Sequence, residues 1–250
     1  MPSNKTFFIG GKHSIQEALK NKNRKIKKII LLNKEKKNEL NHLNNYEKLI
    51  EIQNEKFFNK IFHFDFNHQG FAAEIEEIHY LDLETFVANN KEQNLLFVII
   101  DNIFDDRNLG SIIRTSLAFY VDAIIINQRS FRSNSFNLYK NASGAMEYMP
   151  ILQVSNIANA IKILKQHEFW IYSLDQKSDN SFYQEVFSHR TAFVFGSEDS
   201  GIKPNILNKS DKILNIPINK NIESLNVSNS VSASLAIYNF LQQAKKNPLK

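Results

Sequence analysis

Three short stretches carry the polar groups from which a reaction centre could be built. The first, Asn108 to Arg114, reads N-x-G-x-x-x-R: an amide, a glycine that lets another backbone come close, and a permanent cation. The second, Gly196 to Gly201, reads G-S-E-x-x-G and sets the carboxylates of Glu198 and Asp199 between two glycines. The third reads I-P-x(6)-S-L-N-V-S from Ile216, so Ser224, Asn226 and Ser228 supply hydroxyls and an amide, with apolar Leu225 and Val227 between them. A guanidinium can hold a phosphate, and a carboxylate can accept or orient a proton. Each also has a plainer reading. The serines and Asn226 suit a helix N-cap, and Arg114 suits an ion pair with Asp105 or Asp106.

The elements that would position these stretches are legible from Leu95 onward. Continuously apolar runs, Leu95–Ile100, Ala123–Ile126, Phe169–Leu174, Ala192–Phe195 and Ile213–Ile216, are separated by helical segments. Strands buried on both faces belong to parallel sheets covered by helices. Each polar stretch follows the end of such a run, where open α/β sheets hold ligands. Pro217 stops the last run. Asn108 is expected as a helix N-cap with Arg114 near the end of the second turn, and Glu198 and Asp199 over a helix N-terminus at Lys203 to Leu207.

Residues 1–80 read as a separate small α/β domain, 81–94 as a linker holding a short helix, and 95–250 as the larger domain. In the first part, Ser14 and Glu17 are spaced as a capping box opening a helix through Leu19. Ile26 to Leu32 reads as a strand, and Lys34 to Gln53 as an amphipathic helix burying Leu40, Leu43 and Ile50. Ile61 to Phe64 is strand-like, and a turn at Asn67 to Gly70 leads into the strand Phe71 to Ile75.

Residues 1–60 hold 14 Lys/Arg against 6 Asp/Glu, leaving 17 against 20 for the rest, so the basic excess is N-terminal. Lys20, Lys22, Arg24, Lys25, Lys27 and Lys28, followed by Lys34, Lys36 and Lys37, suit a polyanion such as RNA or DNA, or else a solvated lysine-rich face.

Several chemistries drop out. With no cysteine there are no disulfides, thiolate nucleophiles or cysteine-based zinc sites. The seven glycines form no G-x-G, and neither a phosphate-binding loop nor a G-x-S-x-G elbow is present. The histidines show no metal-ligand spacing, so His13, His63 and His68 read as structural and no metal is expected. No apolar run approaches the ~20 residues of a membrane span, and MPSNKTFFIGGKH has no signal-peptide pattern, so a cytoplasmic protein without a membrane partner is expected.

The order of the three stretches resembles the SpoU family of RNA 2′-O-ribose methyltransferases, within the SPOUT superfamily. GGKHSIQEAL, from Gly10, and NHQGFAAEI, from Asn67, resemble the L30e-like RNA-binding domain that precedes the catalytic domain in 23S rRNA guanosine 2′-O-methyltransferases. The resemblance implies an α/β protein: a C-terminal knotted (trefoil, SPOUT) parallel-sheet methyltransferase domain preceded by a small L30e-like α/β domain. It implies S-adenosyl-L-methionine as cofactor, held in the knot by Gly196, Gly201, Ile216, Ser224, Leu225 and Ser228. Arg114, Asn108 and Glu198 match the family's catalytic positions, with Asn108 orienting Arg114 and with Ser224 and Asn226 beside them. It further implies a homodimer and an RNA substrate, first a guanosine of 23S rRNA. A tRNA 2′-O-methyltransferase and a catalytically silent RNA-binding ribosome-assembly factor are the alternatives. Three positions depart from the pattern: Asp106 where proline is common, Tyr120 where glycine usually follows the phenylalanine, and Lys220 where the knot loop often has glycine. A left-handed backbone at Lys220 would cost about 1 kcal/mol.

Overall fold

The computed structural model describes residues 5–63, 65–78 and 80–246. The chain divides into two compact units, the first drawn from 1–79, 109–114 and 132–148, the second from 80–108, 115–131 and 149–250.

The first unit is built on a four-stranded sheet in the order β1 (Thr6–Gly10), β4 (Phe71–Glu76), β2 (Ile26–Leu31), β3 (Ile50–Ile52). Only the β2/β3 pair is parallel. Helix α1 (Lys12–Lys20) buries Ile15, Ala18 and Leu19, and α2 (Glu55–Ile61) buries Phe58 beside Phe62, Phe66 and Ile30. His68 stacks on the Phe58 ring at 4.4 Å, and its Nδ1 accepts from Gly70 N (3.0 Å), a structural histidine.

Local expectations fail here where tertiary contacts decide. Ser14 lies inside α1 rather than capping it, its hydroxyl donating to the Tyr139 carbonyl (2.9 Å). Glu17 instead accepts from Lys20 and from the Tyr148 hydroxyl. Lys34 to Gln53 forms three short 3₁₀ turns and β3 rather than one helix. A left-handed His42 (φ 66) breaks it, and its many asparagines offer the backbone competing hydrogen bonds. Ile61 ends α2 instead of starting a strand, and Phe64 lies outside the described residues. Strand β1 escaped the sequence reading.

The basic cluster also changes character. Arg24 is buried, not part of a surface patch. Most of the lysines meet carboxylates: Lys20 meets Glu17, Lys25 and Lys27 meet Glu76, Lys28 meets Glu51, Lys36 meets Glu39, and Lys37 meets Glu47. Apart from those to the buried Glu76, these are exposed pairs, which contribute little and can exchange for other anions.

The second unit is a wholly parallel six-stranded sheet in the order β10 (Lys212–Leu214), β8 (Trp170–Leu174), β9 (Arg190–Phe195), β5 (Leu95–Ile100), β6 (Ala123–Asn127), β7 (Ile151–Val154). Of these, β7 was not foreseen. On one face Phe97, Ile99, Ala192 and Val194 pack against α3 (Leu83–Asn89) and α6 (Ile157–Gln166), through Leu83, Val87, Ile157 and Ile161. On the other, Phe193 meets Phe187 and Tyr238 of the terminal helix α8 (Val227–Lys246), its ring 5.4 Å from that of Tyr238. The unbroken apolar strands are therefore covered on both sides.

Helix α4 (Asp106–Ala118) follows β5. Its N-cap is Asp105, whose side chain accepts from Arg107 N (2.9 Å), so Asn108 lies in the first turn rather than at the cap. Asp106 is the first helical residue, a place that suits proline and equally an acidic side chain facing the helix dipole. Tyr120 carries the strain expected of Lys220: its φ is 58 and its side chain is 85% exposed, whereas Lys220 is not in the left-handed region. Tyr120→Gly should therefore raise stability by about 0.5–1 kcal/mol, read as a higher urea midpoint at unchanged slope; a lower midpoint would contradict the assignment of strain.

Candidate active site

Strands β5 and β9 lie side by side with Ile100 opposite Phe195, so the chain leaves both at the same level of the sheet. Connections from β5 run outward through β6 and β7, whereas β8, β9 and β10 occupy the other side, making the β5/β9 boundary the switch point where open sheets form a crevice. Asp101 N donates to the Phe195 carbonyl (2.9 Å), extending the pairing one residue past the strands.

The loop after β9 folds back on itself. A Cβ on Gly196 would lie 2.2 Å from the Gly201 carbonyl carbon, an approach only glycine permits. Gly201, itself left-handed at φ 65, donates its N–H to the Ser197 carbonyl (2.9 Å). The far end is pinned by Asp101, 1% exposed, whose Oδ2 accepts from Lys203 N (3.2 Å). Asp101 therefore takes the start of α7 (Pro204–Leu207), the place expected for Glu198 and Asp199. No motif marked Asp101; the available signal was a carboxylate immediately after an entirely apolar strand.

Glu198 reaches the start of α8 instead. Its Oε1 accepts from Asn108 Nδ2 (3.3 Å), from Val227 N (3.2 Å) and, at close range, from Asn226 Nδ2. Asn226 Nδ2 also donates to Asn108 Oδ1 (3.2 Å). Asn226 Oδ1 accepts from Ser228 N (3.0 Å) and Ser228 Oγ (2.6 Å), the geometry of an N-cap. The third stretch is thus a helix cap and a part of the cluster at once. Both ends of the Asn108 amide take part in holding Glu198 and Asn226, and among the described residues it makes no hydrogen bond to Arg114.

Beside this cluster opens a cavity of about 680 Å³, within the range of small-molecule sites. Gly196, Gly201, Ile216, Ser224 and Leu225 line it, as does Glu198. Ser228 does not, its hydroxyl being turned to Asn226. The lining joins aliphatic walls, Leu174, Leu214, Ile216 and Leu225, to the carboxyl side chains Asp175, Glu198, Asp199 and Glu223, which outnumber its one cation, Lys177. Such a mixture suits a flat apolar body carrying a positive charge. Arg114 is exposed and lies six residues after Asn108 on α4, about 9 Å along the axis. Asp105 pairs with Arg107 instead (3.5 Å), and Arg114 makes no ion pair among the described residues. Among those residues no three His, Asp or Glu groups are placed to hold a metal ion, and no helix is long and apolar enough to cross a membrane.

Comparison with known proteins bears on this geometry. Residues 95–238 match the model of the SpoU rRNA Methylase family, and residues 8–81 match the model described as RNA 2′-O ribose methyltransferase substrate binding. A Staphylococcus saprophyticus protein assigned to the TrmH family of tRNA/rRNA methyltransferases is 34% identical over 237 residues, covering 92% of this chain and 93% of its own. The fold is shared with the SpoU methyltransferase AviRb of Streptomyces viridochromogenes, solved with AdoMet (TM-score 0.81, 16% identity, 96% of this chain and 91% of that one). It is shared likewise with the AdoMet-bound rRNA methyltransferase of Sinorhizobium meliloti (TM-score 0.77, 20% identity, 93% and 86%). With one family model spanning more than half its length and a relative aligned along nearly all of both chains, the protein belongs to the SpoU rRNA methylase family.

Proposed function

We propose that the protein transfers a methyl group from S-adenosyl-L-methionine to a ribose 2′-hydroxyl of RNA, at a guanosine of 23S rRNA, working as a homodimer with its C-terminal segment threaded as a trefoil knot. The observation that carries this reading is the Asn108–Glu198–Asn226 cluster set against a cavity of cofactor size at the β5/β9 switch point. Support for the cofactor comes from the two AdoMet-bound structures that share the fold. The second family model, over residues 8–81, favours an RNA substrate held in part by the first unit. Because the Staphylococcus relative is named for both tRNA and rRNA, a tRNA target is the second reading.

The cavity residues fit the cofactor. Gly196, Gly201, Ile216 and Leu225 would hold the adenosine through backbone groups and aliphatic contact, and the cavity carboxylates would favour the positive sulfur. When bound, the cofactor supplies an electrophilic methyl group on a sulfonium. The chain must hold the 2′-hydroxyl in line and take its proton. Arg114 is exposed and carries no ion pair among the described residues, and its guanidinium suits the two-point holding of a phosphate, so its task is to anchor an RNA phosphate. Glu198 Oε1 is committed to three donors, and Oε2 is the oxygen left to accept the hydroxyl proton. Asn108 and Asn226 fix that carboxylate in place, and Ser224 lies at the cavity edge.

Tritium from labelled S-adenosyl-L-methionine should enter total RNA, with ribose-methylation mapping placing it in 23S rRNA. Label in tRNA would select the second reading, and cofactor binding without label in any RNA would point to a silent assembly factor. Arg114→Ala should keep cofactor binding by calorimetry and lose methyl transfer by about 100-fold or more; an active variant would remove Arg114 from the site. Glu198→Ala should cost about 1 kcal/mol of stability by stripping the acceptor from Val227 N. Glu198→Gln should keep that stability yet still slow transfer, and a Gln variant as fast as the parent would end the base assignment.

A further inference from the structure

Between β6 and β7 the chain leaves the parallel sheet and contributes residues 132–148 to the first unit. Its helix α5 (Phe136–Ala142) is held there at both ends. At the start, the Phe136 ring meets Phe62 (5.4 Å), Phe66 (4.8 Å) and His63 (5.3 Å). In the middle, the buried Tyr139 packs on Phe7 and accepts at its carbonyl from Ser14 Oγ. Past the end, left-handed Ser143 (φ 49) and Gly144 (φ 88) turn the chain toward Glu147. There Arg24 grips the Glu147 carboxylate with both Nε (2.9 Å) and Nη2 (2.8 Å), the two side chains 2% and 1% exposed. Asn21 Nδ2 donates to the same carboxylate (2.9 Å), and Arg24 Nη1 to the Glu76 carbonyl (2.9 Å).

The other partner of α5 is the turn of α4 that precedes Arg114. A Cβ on Gly110 would stand 2.7 Å from the Leu138 carbonyl oxygen and 2.9 Å from Ala142 N, so this turn of α4 rests directly on the α5 backbone. Arg114 lies four residues on, one turn along the same helix face. Residues 109–114 belong to the first unit together with α5. A buried ion pair gains little stability over apolar filling of the same volume. What a two-point guanidinium–carboxylate grip adds is fixed orientation.

We infer that α5 is the seat of Arg114, and that Arg24 and Glu147, by clamping α5 to the first unit's sheet, are positioning residues for methyl transfer. The inference rests on the phosphate-anchoring role given above to Arg114. It makes the domain that meets RNA and the turn that presents the arginine one mechanical body.

The test uses the full chain with Arg24→Met and Glu147→Met combined, which leaves no unpaired buried charge, and separately with Gly110→Ala. Expected for both are unchanged cofactor affinity by calorimetry, nearly unchanged KM for RNA, and kcat lower by about 10- to 100-fold. Backbone amides of 109–114 should exchange hydrogen faster while those of β5 and β9 do not. Folded variants with parental kcat, or with parental exchange at 109–114, would overturn the inference, as would cofactor affinity falling in step with kcat. If the parent protein methylates no RNA, the proposed function fails on its own, and the exchange measurement still decides whether the clamp holds the arginine's turn.

Discussion

Everything at the site follows from the parallel pairing of β5 with β9. Two strands far apart in sequence are brought adjacent with Ile100 opposite Phe195, so the loops that follow emerge at one level and from one edge of the crevice. A shift of one residue would turn every side chain of either strand to the opposite face, and both faces are buried. The apolar packing of Phe97, Ala192 and Val194 on one side and of Phe193 on the other therefore protects the placement of polar atoms that lie beyond the strand ends. Asp101 carries that registration outward, pairing its own N–H with Phe195 and its carboxylate with Lys203.

The cluster built on this frame is economical in its use of atoms. A single carboxylate oxygen of Glu198 collects donors from the first turn of α4, from the N-cap of α8 and from the backbone of Val227. Three segments distant in the chain are thereby tied at one point. The tie also answers the capping requirement of a 20-residue helix, whose first N–H groups have no partners within the helix. The same side chains cap the helix and form the cluster, so the polar character of the third stretch was compatible with both readings.

The larger architecture was legible where burial leaves an unambiguous pattern. Continuous runs such as Leu95–Ile100 and Ala192–Phe195 gave a covered parallel sheet and, with it, the loops that gather Gly196, Gly201, Ile216, Ser224 and Leu225. What escaped was whatever depends on partners distant in sequence. Ser14 satisfied every local requirement of a cap, yet its hydroxyl is claimed by Tyr139, 125 residues away. Arg24 sat among lysines in sequence and is enclosed in the fold by Glu147, 123 residues on. Glu198 chose between two helix starts, and the nearer one had already been taken by Asp101. Strain falls at Tyr120 rather than Lys220 because a positive φ depends on how the chain turns between α4 and β6, and its one sign in the sequence was a tyrosine where glycine usually follows the phenylalanine.

The excursion of residues 132–148 into the first unit also orders events in time. Phe136, Tyr139 and Glu147 complete that unit's packing, yet they are made only after β5, α4 and β6. From residue 79 to residue 147 the ribosome adds roughly 70 residues, about 3–14 s at the usual rates of synthesis. Through that interval Arg24 is present without its carboxylate, and the aromatic group of Phe62 and Phe66 without Phe136. The N-terminal part is thus the first to be synthesised and among the last to be finished. Its packing is completed by a segment that lies between two strands of the other unit's sheet in the chain, so the N-terminal part reaches its finished form only after residues 132–148 have been made.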